Sequence, residues 1–137
     1  GGTPIPSLAL DYPCDSSTTT VQDDIVVFPD LAPDFQSPFS CEHIFQGPSD
    51  GTFSIFCPGI SLIEGCFKET ITFIDGDGSR TEFFCEEDIQ YSSMFNIFSL
   101  TYDKEATGRK DCPGKFFCMV FVEKGPVPKP PTTLKPT

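Results

Sequence analysis

The stretch TITFIDGDGSRTEFFC, residues 70–85, predicts a β-hairpin. Thr and apolar residues alternate at its start, which is typical of a strand with one buried face. The Asp-Gly-Asp-Gly run at 75–78 supplies residues that tolerate positive φ, as the tip of a hairpin requires. A second short run, rich in Thr and Phe, then leads back to Cys85. We therefore expect antiparallel strands at 70–75 and 81–85.

Further segments share this character, since each is short, rich in Ile, Val, Phe or Thr, and bounded by turn-forming residues. The chain also has 14 Pro and 11 Gly, which argue against a helical bundle because they divide a chain into short strands and turns. We predict an all-β sandwich of two antiparallel sheets. The additional strands are expected at 24–28, 41–45, 51–57, 97–102 and 116–122.

Seven cysteines are spread among these strands, and none forms a C-x-x-C pair. Zinc ribbons and thioredoxin-like sites need such close pairs, so the spacing favours a disulfide framework in an oxidising, extracellular compartment. Because seven is odd, at least one sulfur is a free thiol or bonds to another molecule or domain. The cysteines are Cys14, Cys41, Cys57, Cys66, Cys85, Cys112 and Cys118.

The formal net charge of -11 excludes the two anionic classes of partner, nucleic acids and acidic membrane surfaces. No apolar run approaches the roughly 18 residues needed to cross a bilayer, so we expect no membrane insertion. The N-terminus lacks the basic and apolar regions of a signal peptide, so a secreted protein would be seen here in mature or excised form.

We divide the chain into three parts. Residues 1–13 contain polar residues and prolines, and we expect them to form a loose leader. The domain is expected at 14–123. Residues 124–137 alternate Pro with Thr and Lys, which predicts an extended linker or tail.

Taken together, the order of these motifs resembles a CUB domain, an extracellular β-sandwich of jelly-roll type. The arthropod-type CUB domains found in secreted CUB serine proteases are the most similar. Two positions depart from the family pattern: His43 stands where Trp is usual, and Glu86 stands where Gly is common. The matching segments are IVVFP (25–29), CEH (41–43), GCFKETITFIDGDGSRTEFFC (65–85), and residues 92–103 and 114–120.

The resemblance implies three disulfides, Cys14–Cys41, Cys66–Cys85 and, from the arthropod members, Cys57–Cys118 across the sandwich. Cys112 is left over in the polar segment GRKDCPG, where turn-forming and charged neighbours predict exposure. We expect it to bridge to another chain or domain. The alternative is an intradomain bond from Cys112 to Cys57 or Cys118.

Many CUB domains bind one calcium ion through three carboxylates, and the corresponding positions here are Glu64, Glu69 and Asp103. The match is incomplete, because Glu64 aligns poorly and Glu69 replaces the shorter Asp. We therefore expect no bound cofactor, with a weak calcium site as the alternative. Residues 75–86 also mimic an EF-hand loop, but position six is Arg80 rather than Gly, so a hairpin turn is the better interpretation.

His43 is the only histidine, so any Ser-His-Asp or Cys-His catalysis would have to use it. It follows Cys41-Glu42 inside a predicted strand, and no nucleophile motif occurs, so a structural role is favoured. The acidic run at 86–88 is interpreted as a solvated loop rather than a glycosidase pair.

These observations predict a non-catalytic extracellular interaction module within a larger secreted protein such as a CUB serine protease. Its partner would be an extracellular protein or a neighbouring domain, contacted near Glu64, Glu69 and Asp103. The alternative is a structural or assembly subunit of an extracellular complex, linked through Cys112 and the tail at 124–137.

Overall fold

The structure, a computed structural model, describes residues 6–30, 38–58, 70–84, 88–104 and 117–123. These residues form ten strands, and no helix occurs among them, so no segment described here could cross a bilayer as a helix. The strands are β1 (Leu8–Tyr12), β2 (Thr18–Thr20), β3 (Ile25–Pro29), β4 (Phe39–Gln46), β5 (Thr52–Cys57), β6 (Thr70–Asp75), β7 (Arg80–Phe84), β8 (Ile89–Ser92), β9 (Ile97–Lys104) and β10 (Cys118–Glu123).

The strands form two five-stranded sheets, which confirms the predicted all-β sandwich. Sheet A has the order β1-β3-β10-β5-β8, and sheet B has the order β2-β4-β9-β6-β7. The sheets are not fully antiparallel as expected, because β1 runs parallel to β3 and β2 runs parallel to β4. Each parallel pair places an N-terminal strand at the edge of its sheet, where it needs only one hydrogen-bonded neighbour.

Aromatic side chains from both sheets fill the core. Phe53 of sheet A contacts Phe98 of sheet B edge to face, with ring centroids 4.9 Å apart. Tyr91 of sheet A stacks on Phe73 of sheet B at 4.5 Å. Alternation along β5 produces this packing, since Phe53 and Ile55 are buried while the residues between them are partly exposed. The interior is therefore occupied by side chains that belong to one continuous cluster.

The β6–β7 hairpin has the predicted tip, and its two glycines are required for different reasons. Gly78 has a φ of 88°, a conformation that other L-residues rarely adopt. Gly76 is needed for space, because a Cβ there would lie 2.8 Å from Cβ of Phe95. The β8–β9 loop therefore packs directly on this turn.

Strand β1 lies within the segment expected to be a loose leader, so that expectation is wrong for residues 8–12. Leu10 packs against the core and Tyr12 is buried within it. The sequence did indicate this strand, because the large apolar residues Leu8, Leu10 and Tyr12 alternate with the small Ala9 and the charged Asp11. Strands β2 and β8 were also not predicted.

Candidate functional site

Both disulfides among the described residues are pairs expected from the resemblance, Cys14–Cys41 and Cys57–Cys118. The location of the second differs from the prediction. Cys57 ends β5 and Cys118 begins β10, and these strands are hydrogen-bonded neighbours in sheet A, so the bond does not cross the sandwich. Directly opposed residues on antiparallel strands approach within about 4.5 Å at their closer positions. The Cα atoms of this pair are 4.1 Å apart.

The bond between Cys57 and Cys118 rules out the alternative in which Cys112 is bonded to one of these two cysteines. Both bonded cysteines are fully buried, so neither sulfur can be the intradomain partner of Cys112. Cys112 itself lies outside the described residues, and so do Cys66 and Cys85. The Cys66–Cys85 bond and the intermolecular role of Cys112 therefore stay predictions.

His43 is buried on the inner face of β4, where it takes part in the aromatic packing. Its ring centroid lies 5.1 Å from that of Tyr12 and 5.0 Å from that of Phe45. Its Nε2 is 2.6 Å from the hydroxyl of Thr19, and its Nδ1 is 3.4 Å from the hydroxyl of Ser17. Burial lowers the pKa of His43, and the nearby Asp15 only partly opposes this shift. The imidazole therefore fills the core as a neutral side chain and has no opening to a substrate.

Only one member of the expected calcium set can be located. Asp103 lies near the end of β9, paired in register with Ser40 of β4 and Thr70 of β6. Glu64 and Glu69 fall outside the described residues. Within the part of the chain that the structure covers, no group of three His, Cys, Asp or Glu side chains is arranged to hold a metal ion.

The acidic residues of the β6–β7 turn have structural roles. Asp75 accepts hydrogen bonds from the backbone N–H groups of Gly76 and Met94, both at 2.7 Å, and so joins the turn to the β8–β9 loop. Asp77 accepts hydrogen bonds from the hydroxyl and backbone N–H of Ser79, which lower the pKa of Asp77. Burial, and next the charge of Asp75, raise the pKa of Tyr91 to about 12. These interactions support the interpretation of a hairpin turn.

The outer face of sheet A carries a run of apolar side chains, although it lies opposite the core. In β10, Cys118 and Val120 are fully buried in the core, so Met119 and Phe121 point outward. The same alternation places outward residues on β3 and β5. We call this set the outer apolar strip, and its members are Val26, Phe28, Phe56, Phe117, Met119 and Phe121.

Strand register makes the strip continuous. Met119 lies between Val26 of β3 and Phe56 of β5 in the pairing. At one end, the rings of Phe28 and Phe117 are 5.8 Å apart, and these side chains are 38% and 36% exposed. Sheet faces that meet solvent normally carry polar side chains, so two adjacent strands that are apolar on both faces make this face a candidate surface for association. Val26 is already buried within the chain, so the accessible part of the strip consists of its other five side chains.

A groove of about 650 Å³ lies along this face, where the strip meets small and polar side chains of β5 and β8. Ser54 pairs with Ser92 and Phe56 with Gln90, so small residues lie beside large ones. Two exposed carboxylates, Asp24 and Glu123, lie at one end. The lining residues are Asp24, Ser54, Ile55, Phe56, Gln90, Tyr91, Ser92, Met119, Phe121, Val122 and Glu123.

The outer face of sheet B has a different composition. Its central row runs from Glu42 through Thr101 and Thr72 to Glu82, and all four side chains are polar. The contrast between the sheets makes sheet A the stronger candidate for a binding surface. The sequence analysis did not identify this surface. The run FFCMVFV at 116–122 was an indication of it, because the residues that point to either face of this strand are all apolar.

No protein-family model matches the sequence, and no curated protein matches it. Among solved structures, the fold is similar to part of the full extracellular region of zebrafish Gpr126/Adgrg6, with a TM-score of 0.54 and 17% identity. The match covers 81% of this chain and 15% of that one. The same β-sandwich fold therefore occurs as a small part of a much larger extracellular protein.

Proposed function

We propose that this chain is a non-catalytic, extracellular protein-interaction module of CUB-like type, belonging to a larger secreted protein. The observation that carries the proposal is the outer apolar strip on a disulfide-linked sandwich. Phe28 and Phe117 are exposed at one end of this strip, and contiguous apolar side chains at a surface are typical of a site used for association.

Three further observations support the extracellular and non-catalytic parts of the proposal. The two disulfides are typical of proteins in oxidising compartments. The similar solved structure is an extracellular region that contains the fold as one small part. His43, the residue on which histidine-dependent catalysis would depend, is enclosed by the core. CUB-type membership itself is supported by the sequence motifs and by the order of the cysteines.

The finer parts of the proposal concern what surrounds the module. Residues 124–137 would tether it to a neighbouring domain, of which a serine protease is one example. Cys112 would bond to that domain or to a second chain. Calcium would bind weakly or not at all near Asp103, so that association depends on side chains of the module itself.

The proposal can be tested on the natural protein, purified from its source without reduction. We expect it in the extracellular fraction, either as a chain longer than 137 residues or in a stable complex with another protein. Intact mass before and after reduction distinguishes covalent from non-covalent partners, and cross-linking identifies the contacts. A monomer of this length in a reducing compartment, with no associated protein, would refute the proposal.

A further inference from the structure

We propose that the outer face of sheet A binds a polypeptide segment in which aliphatic side chains lie next to Lys or Arg. This inference rests on the proposed function and adds to it the surface and the chemistry of the partner. The juxtaposition that carries it is a groove that has large apolar side chains on one wall, small polar side chains on the other and carboxylates at one end.

The apolar part of the groove determines what kind of side chain fits. Phe56, Met119 and Phe121 form its large walls, while Ser54 and Ser92 leave the space between them. Met has a flexible, polarisable side chain that adapts to different apolar shapes. Aliphatic side chains of the partner would gain free energy there in proportion to the apolar area that both sides bury.

Charge determines what flanks those aliphatic residues. The five strands of sheet A carry two charged residues, Asp11 and Glu123, and both are acidic. Asp24, which precedes β3, adds a third carboxylate, and one of its oxygens also accepts a hydrogen bond from the backbone N–H of Val122 at 2.8 Å. The described basic residues, Arg80 and Lys104, both belong to sheet B.

A basic residue of the partner therefore meets carboxylates and no cation among the described residues of this face. An acidic partner would be repelled both here and by the net charge of -11. Electrostatic complementarity of this kind selects between partners more than it adds affinity. The apolar strip would supply the affinity, and the carboxylates would supply the selection for Lys or Arg.

The test uses the fact that the chain has only two methionines, Met94 and Met119. Labelling both methyl groups with ¹³C gives one NMR signal inside the groove and one outside it, because Met94 is 79% exposed in the β8–β9 loop. The probes are three capped peptides of one length: Leu flanked by Lys, Leu flanked by Glu, and Ser flanked by Lys. We expect only the Leu-Lys peptide to shift the Met119 signal saturably, and the Met94 signal to stay in place.

Matched variants separate the two contributions. Because M119Q removes the Met119 signal, binding to the variants is measured by fluorescence anisotropy of a dye-labelled Leu-Lys peptide. M119Q should weaken binding of this peptide by about tenfold, whereas M94Q, the same change elsewhere, should leave it unaltered. E123Q should weaken binding about two- to fivefold, whereas E82Q, which removes the same charge from sheet B, should not. Melting temperatures of all four variants verify that they are folded.

The proposal is overturned if neither signal or only Met94 shifts, or if the Leu-Glu peptide binds as well as the Leu-Lys peptide. It is also overturned if the unliganded protein is a dimer that M119Q converts to monomers, since the occupant would then be a second copy. If the natural partner binds M119Q as well as it binds the wild type, this inference fails while the proposed function stands. A natural protein without any partner would instead refute the proposed function.

Discussion

Replacing both Cys57 and Cys118 with Ala should remove about 6 kcal/mol of the unfolding free energy of this domain. The bond closes a loop with a sequence separation of 61 residues. In the chain-entropy model, a loop of that length restricts the unfolded chain by about 14 cal/mol/K, which is about 4 kcal/mol at ~25 °C. Both sulfurs are fully buried, and the space that each leaves costs roughly 1 kcal/mol more.

The expected loss is therefore about 6 kcal/mol, against a total of about 5 to 15 kcal/mol for a typical domain. The double variant should be marginally folded or unfolded at room temperature. The chain has no Trp, so urea denaturation is best followed by circular dichroism or by the fluorescence of its three Tyr residues. The denaturant m-value should also rise, because the unfolded state without the bond is less compact.

The matched control replaces Cys14 and Cys41, whose bond has a sequence separation of 27 residues. The same model gives about 3.5 kcal/mol for that loop, and Cys14 is only partly buried, so this variant should lose less stability. If the Cys57/Cys118 variant loses less than about 1 kcal/mol, or less than the control, loop closure is not what the bond contributes and the reasoning is refuted.

Five further changes have expected outcomes. Burial lowers the pKa of His43 below 6.5, so as the pH falls His43 is protonated in the unfolded chain before it is protonated in the folded one. The unfolding free energy should therefore be flat above pH 7 and decrease as the pH drops below about 6.5. In H43Q this decrease should be absent. A fall of the same size in H43Q would assign the titration to another group. G76A should lower the free energy of unfolding by about 1–3 kcal/mol through overpacking, and G78A should lower it by about 1 kcal/mol because of the positive φ at that position. If urea denaturation shows that G76A leaves the free energy of unfolding unchanged, the close packing of that turn is contradicted. A chelator should leave the melting temperature nearly unchanged, because the expected set of carboxylates is incomplete. Calcium bound at about 100 times its Kd would contribute about 2.7 kcal/mol, so a large drop would establish a calcium site and contradict this prediction. C112S should fold normally and abolish any disulfide-linked species on a non-reducing gel; a misfolded variant, or a wild type that is never disulfide-linked, would refute the intermolecular role.

The strands that were predicted correctly are those with a strong local signal. All seven predicted segments coincide with observed strands to within about two residues, and the residues of the hairpin turn were identified correctly. The three strands that were not predicted, β1, β2 and β8, all lie at sheet edges. Edge strands are short and have one hydrogen-bonded neighbour, so their sequences need less apolar content. For the candidate binding surface, the run at 116–122 indicated one strand that is apolar on both faces, but the sequence indicated neither its neighbours nor the groove.

The sequence by itself determined the fold class and, through the resemblance of its motifs, the partners of the four cysteines that the structure describes. Period-two alternation and turn residues act locally, so they can be detected without knowing what packs where. Tertiary structure alone decided which distant strands are neighbours, and hence that Cys57 and Cys118 share a sheet rather than facing each other across the core. It also decided that Phe56, Met119 and Phe121 form one outward surface, since these residues are apolar however the strands pair, but their adjacency depends on the register of β5 and β10. Pairing between β5 and β10 depends on the packing of the whole chain, because the residues that it joins are 63 to 71 positions apart and share no local pattern.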